Sequence, residues 1–334
     1  MPVLSVTNLK KRFNLEAGFF ARFGRFVYAV NGVSFSIGKN ETYGLVGESG
    51  CGKTTTARLL VRMYEADSGD IMFRQGDRVL DVKALKGKEL KQYREKVKYV
   101  FQDPARSLNP RMTIYNVLTS GPRWSGSRRN KKELREEAAA TLEEVGLRNS
   151  DLERRPAEFS GGQRQRISIA RGLLMKPDVL ICDEVVSALD VSIQGQILNL
   201  LLDIRASRDL SFLFIAHDLK VACYFCDRIG VMYRGELMEE APAAELYRTG
   251  IHPYTELLFS SAARAGKTAG AGGDRSAGTA EAAALRGEAV PAAAEAEGCP
   301  FAARCPRADG RCFREHPELL EAGSGHLVRC FKSG

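Results

Sequence analysis

Gly47-Glu48-Ser49-Gly50-Cys51-Gly52-Lys53-Thr54 is the stretch that decides the fold. It has the form G-x-x-x-x-G-K-[ST], follows the apolar run Thr42-Tyr43-Gly44-Leu45-Val46, and leads into helix-competent sequence from Thr55 to Met63. Strand, loop and helix in that order make a phosphate-binding loop. The glycines let the backbone N–H groups of residues 47 to 52 turn inward around phosphates. The positive end of the following helix favours the anion. Lys53 reaches the terminal phosphates, and the Thr54 hydroxyl can ligate Mg²⁺. A second Gly-Lys-Thr, Gly266 to Thr268, has no matching upstream glycine and lies in Ala/Gly-rich sequence, so it reads as accidental.

With 334 residues the chain can bury a sizeable core, and its length suits one large domain with an appendage. A hydrophobic fraction of 44% and a charged fraction of 27% place it with soluble globular proteins. The start, Met1-Pro2-Val3-Leu4-Ser5, has neither the basic nor the apolar region of a signal peptide. Runs such as Phe212 to Ala216 are far too short to span a bilayer. The expectation is a cytoplasmic protein that reaches a membrane only through a partner. The net charge of +8 is scattered, apart from Arg128-Arg129-Asn130-Lys131-Lys132. That cluster reads as the solvated start of a helix, with Asn130 and Glu133 at capping-box spacing. Nucleic acid is not an expected partner.

Up to about residue 250 strands and helices are mixed. Residues 3 to 37 read as strands, interrupted from Asn14 to Arg25 by a Phe- and Arg-rich stretch best taken as a hairpin extension of an N-terminal sheet. Residues 103 to 160 read mainly as helix, with Leu134, Ala138, Leu142 and Val145 at helical spacing before Gly146. Strand Val179 to Cys182, a helix from about Ser192 to Ile204 and strand Phe212 to Ala216 follow. Apolar strands alternating with helices predict an α/β core on a buried, mostly parallel sheet. Residues 264 to 298, dominated by Ala, Gly, Glu and Arg, are expected to be a flexible linker, with partial helix as the other reading. A short cysteine-bearing tail lies beyond it.

Two further stretches carry chemistry. Val179-Leu180-Ile181-Cys182-Asp183-Glu184 is an apolar strand ending in two carboxylates, and such a strand delivers its C-terminal residues to the ligand crevice of α/β proteins. Asp183 suits a Mg²⁺ shell; Glu184 could orient or deprotonate an attacking water. Phe159-Ser160-Gly161-Gly162-Gln163 precedes an amphipathic helix stopped by Pro177, with Ser160 and Gln163 at capping-box spacing. Its two glycines expose N–H groups at a helix start, a second anion site.

The phosphate loop, Gln102 after Tyr99-Val100-Phe101, Ser160-Gly161-Gly162-Gln163, Asp183-Glu184, Ser187-Ala188-Leu189-Asp190 and His217 occur in the order typical of ABC-type ATPase subunits. Over roughly residues 1 to 240 the chain resembles that family. The resemblance implies an α/β P-loop ATPase domain over residues 1 to 250, with a mixed N-terminal sheet and a helical subdomain at about 103 to 175. It implies ATP bound by Gly47, Glu48, Ser49, Gly50, Cys51, Gly52, Lys53, Thr54 and Thr55, with Mg²⁺ at Thr54, Gln102 and Asp183. In that family two subunits pair head-to-tail, so that Ser160, Gly161, Gly162 and Gln163 act on the partner's ATP. In the same terms Glu184 is the catalytic carboxylate, Gln102 senses the attacking water, Asp190 couples the two sites and His217 contacts the γ-phosphate. Phe13 sits where the family stacks an aromatic ring on adenine; a core Phe is the other reading. Phe159 stands where Leu is usual, and Val185 where Pro commonly follows the Glu, neither removing a chemical group.

Phe101-Gln102-Asp103-Pro104, Ser107-Leu108-Asn109-Pro110-Arg111-Met112 and Ile251-His252-Pro253-Tyr254-Thr255 look like the ATPases of oligopeptide/dipeptide importers, closest to the second of the two that such importers use. The implied partners are a second, different ATPase subunit, two transmembrane permeases and an extracytoplasmic peptide-binding protein. The implied place is the cytoplasmic face of the membrane. Import of nickel or another small solute, and a soluble non-transport ABC ATPase, are the alternatives. Residues 251 to 334 form the C-terminal extension, with Cys299, Cys305, Cys312 and Cys330 spaced C-x₅-C-x₆-C-x₁₇-C. That is no standard zinc-finger or ferredoxin pattern. Four clustered cysteines in a cytoplasmic chain argue for metal over disulfides. Similar tails are associated with a four-iron–four-sulfur cluster, ranked before structural zinc and free thiols.

Overall fold

A computed structural model of the chain describes residues 1–14, 26–126, 130–267, 297–323 and 325–333, without side chains over 261–267. Two long antiparallel strands, β1 (Pro2–Asn14) and β2 (Phe26–Gly38), come first. β3 (Thr42–Val46) leads through the phosphate loop into α1 (Lys53–Leu60). β4 (Ser68–Gln75) and β5 (Arg78–Asp81) return to β1, giving an antiparallel sheet in the order β2-β1-β4-β5. After α2 (Gly87–Lys96) and β6 (Val97–Val100) stands a helical block of α3 (Pro104–Ser107), α4 (Ile114–Ser125), α5 (Lys131–Glu144) and α6 (Gly161–Leu173). β7 (Val179–Asp183), α7 (Val191–Ser207), β8 (Ser211–Ala216), α8 (Leu219–Phe225), β9 (Arg228–Tyr233) and β10 (Glu236–Pro242) follow. α9 (Ala243–Thr249) comes next, and then α10 (Pro253–Lys267), α11 (Gly310–Arg314), β11 (Leu320–Gly323) and β12 (His326–Val328) of the extension.

The second sheet runs β11-β12-β10-β9-β3-β8-β7-β6, and its strands from β9 to β6 are parallel. β3, β7 and β8 are buried along their whole length, as continuous apolar runs covered on both faces must be. The period of two divides their side chains. Val46, Leu180, Cys182, Phe212 and Phe214 face the core shared with the helical block. Tyr43, Leu45, Val179, Ile181, Leu213 and Ile215 face the core shared with the N-terminal sheet and α1. The register Val46↔Ala216 and Asp183↔Ile215 brings the carboxyl ends of three strands to one edge, where the loop lies.

The tail does not stand apart. β12 pairs with β10 through Glu239↔Val328, and β11 pairs with β12, so both extend the main sheet. α10 runs to Lys267, into the stretch read as linker. Of the features read from sequence, the interruption over 15–25, Arg128, Arg129, Thr268 and the linker from 268 to 296 lie outside the described residues.

Candidate functional site

The loop has room only for glycine at two points. A Cβ on Gly52, at φ +111°, would come 2.0 Å from the Ala29 carbonyl oxygen of β2; one on Gly47 would come 2.1 Å from the Met232 carbonyl oxygen of β9. Lys53, first residue of α1 and 3% exposed, donates from Nζ to the carbonyls of Gly47 (2.7 Å) and Glu48 (2.9 Å). The loop therefore curls around its own ammonium. It borders a cavity of about 200 Å³, lined also by Ser49, Gly50, Thr54, Thr55, Gln102 and Glu184. Cys51 is buried, and burial pushes its thiol above its ordinary pKa, so it is a packed thiol rather than a nucleophile.

β7 ends in Asp183, which borders the adjoining groove, and Glu184 just after it lines this cavity. The Thr54 hydroxyl donates to Asp183 Oδ1 at 3.1 Å, and the Tyr99 phenol donates to the other oxygen. Burial, then the Asp183 charge, raise the Tyr99 pKa, so the phenol keeps its proton and remains a donor. Gln102 Nε2 donates to Glu184 Oε2 at 2.7 Å. Glu184 has φ +48°, a left-handed backbone rare for such a side chain. Its N–H is held by the Ile215 carbonyl (3.1 Å), and its carbonyl accepts from Ser187 N (3.2 Å) and Oγ (2.9 Å). The surroundings thus impose a strained conformation at the carboxylate. His217, exposed after β8, lines a small cavity with Glu184, Ser187 and Asp218. Tyr99 is the residue that reading the sequence missed: only the register Tyr99↔Ile181 places its phenol beside an acid two residues on.

Other expected site residues lie elsewhere. Ser160 caps α6 reciprocally with Gln163 (3.3 and 3.0 Å), is exposed, and with Gly161, Gly162 and Gln163 lies outside the lining of the phosphate-loop cavity. A Cβ on Gly162 would meet Ile193 Cγ2 at 2.8 Å, so glycine lets α6 close on α7. Asp190 is the exposed N-cap of α7 and makes no side-chain cap bond; the adjoining Val191 is 84% exposed. Phe13 packs edge-on against Tyr64 (5.4 Å) and does not line the cavity. A larger groove of about 770 Å³ runs from Gln102 and Asp183 past Arg58, Arg94, Arg106 and Arg171.

Cys299, Cys305, Cys312 and Cys330 are all free and line one small, largely apolar cavity of about 20 Å³ with His252 and Phe301. Burial pushes the Cys299 thiol up to about 11. The expected ligand geometry is not formed. Among the described residues no group of three or more His, Cys, Asp or Glu side chains is arranged to hold a metal ion. The four sulfurs border a common space without closing on a centre.

A family model described as ABC transporter matches residues 30–187, and one described as the oligopeptide/dipeptide transporter C-terminal region matches residues 238–312. The oligopeptide transport ATP-binding protein AppF of Bacillus subtilis (strain 168) is 42% identical over 329 residues, 98% of this chain and 96% of the relative. OppF of the same organism is 47% identical over 259 residues, 78% of this chain and 82% of the relative. Among solved structures, the dimeric post-hydrolysis state of the ATP-binding cassette MJ0796 bound to ADP and Pi matches with a TM-score of 0.62 at 25% identity, over 72% of this chain and 98% of that one. Identity sustained along almost the whole chain, extension included, is more than a shared cassette fold requires. The chain belongs to the ABC transporter family, among the ATP-binding proteins of its oligopeptide/dipeptide branch.

Proposed function

We propose that this chain is the ATP-hydrolysing subunit that energises import of di- or oligopeptides. The observation that carries this is the convergence of Thr54, Asp183, Gln102 and Glu184 on the phosphate loop. Loop amides and Lys53 grip the phosphates; Lys53 then exchanges its bonds to Gly47 and Glu48 for phosphate oxygens. Thr54, Asp183 and Gln102 are the residues that would hold Mg²⁺, which neutralises charge developing on the phosphates. Glu184, oriented by Gln102, positions and deprotonates the attacking water, and His217 steadies the γ-phosphate. Ser160, exposed, and the half-buried Gly161 to Gln163, outside the lining of their own phosphate-loop cavity, complete the nucleotide site of a second ATPase subunit, with Asp190 between the two sites.

In this reading residues 1–250 are the ATPase unit and 251–334 the extension. The chain is peripheral to the membrane on its cytoplasmic side; among the described residues no helix is long and apolar enough to cross it. The partners are a different ATPase chain, two permeases and an extracytoplasmic peptide-binding protein. The basic groove beside Gln102 suits a permease segment. The four thiols are soft donors around one cavity, the ligand type that a four-iron–four-sulfur cluster or, after it, zinc would take, although their present geometry holds neither. Both need the walls to shift from their present geometry. Glu184→Gln should retain ATP binding, trap the closed pair and lower turnover by more than about 100-fold. Turnover at the wild-type rate would remove Glu184 from its role. Uptake of labelled peptide, against nickel, by the reconstituted complex tests the cargo.

A further inference from the structure

Arg304 stands immediately before Cys305 and 256 residues from Glu48 of the phosphate loop. Its guanidinium donates through both terminal nitrogens to both Glu48 carboxylate oxygens, each at 2.8 Å. This is the bidentate geometry that makes Arg–carboxylate pairs strong and directional. The same guanidinium lies over the rings of Tyr233 (5.7 Å) and Phe301 (5.8 Å), which restricts the rotamers it would otherwise sample. Phe301 packs against Tyr233 (5.3 Å) and Tyr254 (5.3 Å), and lines the cysteine cavity. From the extension, too, the Tyr254 hydroxyl accepts the Glu48 N–H at 2.9 Å. The Glu48 carbonyl, in turn, accepts from Lys53 at 2.9 Å. Glu48 is thus fixed at its carboxylate and amide by the extension, and at its carbonyl by the lysine that must reach phosphate.

We infer that Arg304 is a positioning residue for the nucleotide: through Glu48 it sets the loop segment that orients Lys53, and it links the cysteine cavity to the phosphate loop. A nucleotide that draws Lys53 away from the Glu48 carbonyl changes the restraint on Glu48, hence on Arg304 and the adjoining Cys305. Such coupling is reciprocal, so a change at the thiols alters nucleotide affinity by the same factor. The inference rests on the loop being the nucleotide site, not on what the thiols hold.

The test uses the full chain. Alkylation of each cysteine by iodoacetamide is followed by mass spectrometry with and without ADP and Mg²⁺, and ADP affinity is measured by calorimetry. The labelling rate is defined whether the thiols are bare or occupied. ADP should change the rates of Cys299 and Cys305 about fivefold in the wild type. Arg304→Ala should abolish that dependence and weaken ADP binding about fivefold, with Arg304→Lys recovering part. Glu48→Gln should act alike, and the double variant should add nothing. Rates indifferent to ADP in the wild type, or equally responsive in Arg304→Ala, overturn the inference. If Arg304→Ala unfolds, rapid labelling of the buried Cys182 reveals it, and Arg304→Lys carries the test. Normal ADP binding without linkage sinks this inference alone; no ADP binding in the wild type sinks the nucleotide site with it.

Discussion

Asp183 is 3% exposed, and each of its carboxylate oxygens has a hydroxyl donor, Thr54 on one side and Tyr99 on the other. On the proposed roles Thr54 and Asp183 would both hold Mg²⁺, so the Thr54 hydroxyl would serve the metal as well as Asp183. Tyr99 has no such second task, and its bond keeps the carboxylate from rotating. Tyr99→Phe preserves the ring, including its contact with Phe101 at 4.8 Å, and removes one bond to a charged acceptor. Such bonds contribute about 1.5–3 kcal/mol, so the Mg²⁺ concentration for half-maximal ATPase should rise about tenfold, with metal-free ATP binding unchanged. A Mg²⁺ titration of turnover checks this; superimposed curves would leave the phenol no part in holding Asp183. Thr54, Asp183 and Glu184 were readable because their spacing from a glycine loop or a strand end is local. Tyr99 was not, since its partner depends on the pairing of two strands 82 residues apart in their offset.

Elements whose signal is local were equally plain. β3, β7 and β8 are unbroken apolar runs, and the α5 cap joins Asn130 and Glu133 by two bonds of 2.9 and 3.0 Å, as their spacing predicts. β10 has no such signature. It carries three acids, Glu236, Glu239 and Glu240, yet all three are buried. Distant partners make that possible: His316 for Glu236 (2.8 Å), His326 for Glu239 (2.7 Å), and Tyr43 (3.0 Å) with Arg228 for Glu240. The α6 start offers a test at this scale. Ser160→Ala removes a cap worth about 1 kcal/mol, a local loss that a chain of this size tolerates. Because Ser160 lies outside the lining of its own phosphate-loop cavity, ADP affinity of the isolated subunit should not change. ATPase of the assembled pair should fall by more than about tenfold, since on the proposed roles the missing hydroxyl completes the neighbour's site. Equal losses in both measurements would place Ser160 at its own nucleotide.

The whole molecule joins a cassette to an extension that closes its sheet edge and reaches its active loop. The ATP-binding cassette that matches over 72% of this chain spans 98% of its own length, so the shared fold needs no such extension. Here the extension supplies partners to buried groups of the cassette. Glu239, 0% exposed, accepts from Ile251 N (2.7 Å), His252 N (3.1 Å) and His326 Nε2 (2.7 Å), and β12 covers the β10 edge. Cutting the chain after Lys267 would remove His316, His326 and Arg304 together, leaving Glu236 and Glu239 short of partners and the Glu48 carboxylate without its arginine. Removing one member of a buried pair costs about 3–5 kcal/mol, which in a domain of this size lowers Tm by about 10 °C. Adding Glu236→Gln and Glu239→Gln to the shortened chain removes the stranded charges while keeping one acceptor oxygen at 239 for one of the two amides, Ile251 or His252. That variant should regain part of the lost Tm. Thermal unfolding of the three chains under one buffer separates the cases: a shortened chain that melts with the full one means the extension is only laid on the cassette, and a fall unrelieved by the glutamines assigns the loss to the exposed edge of β10 rather than to its acids.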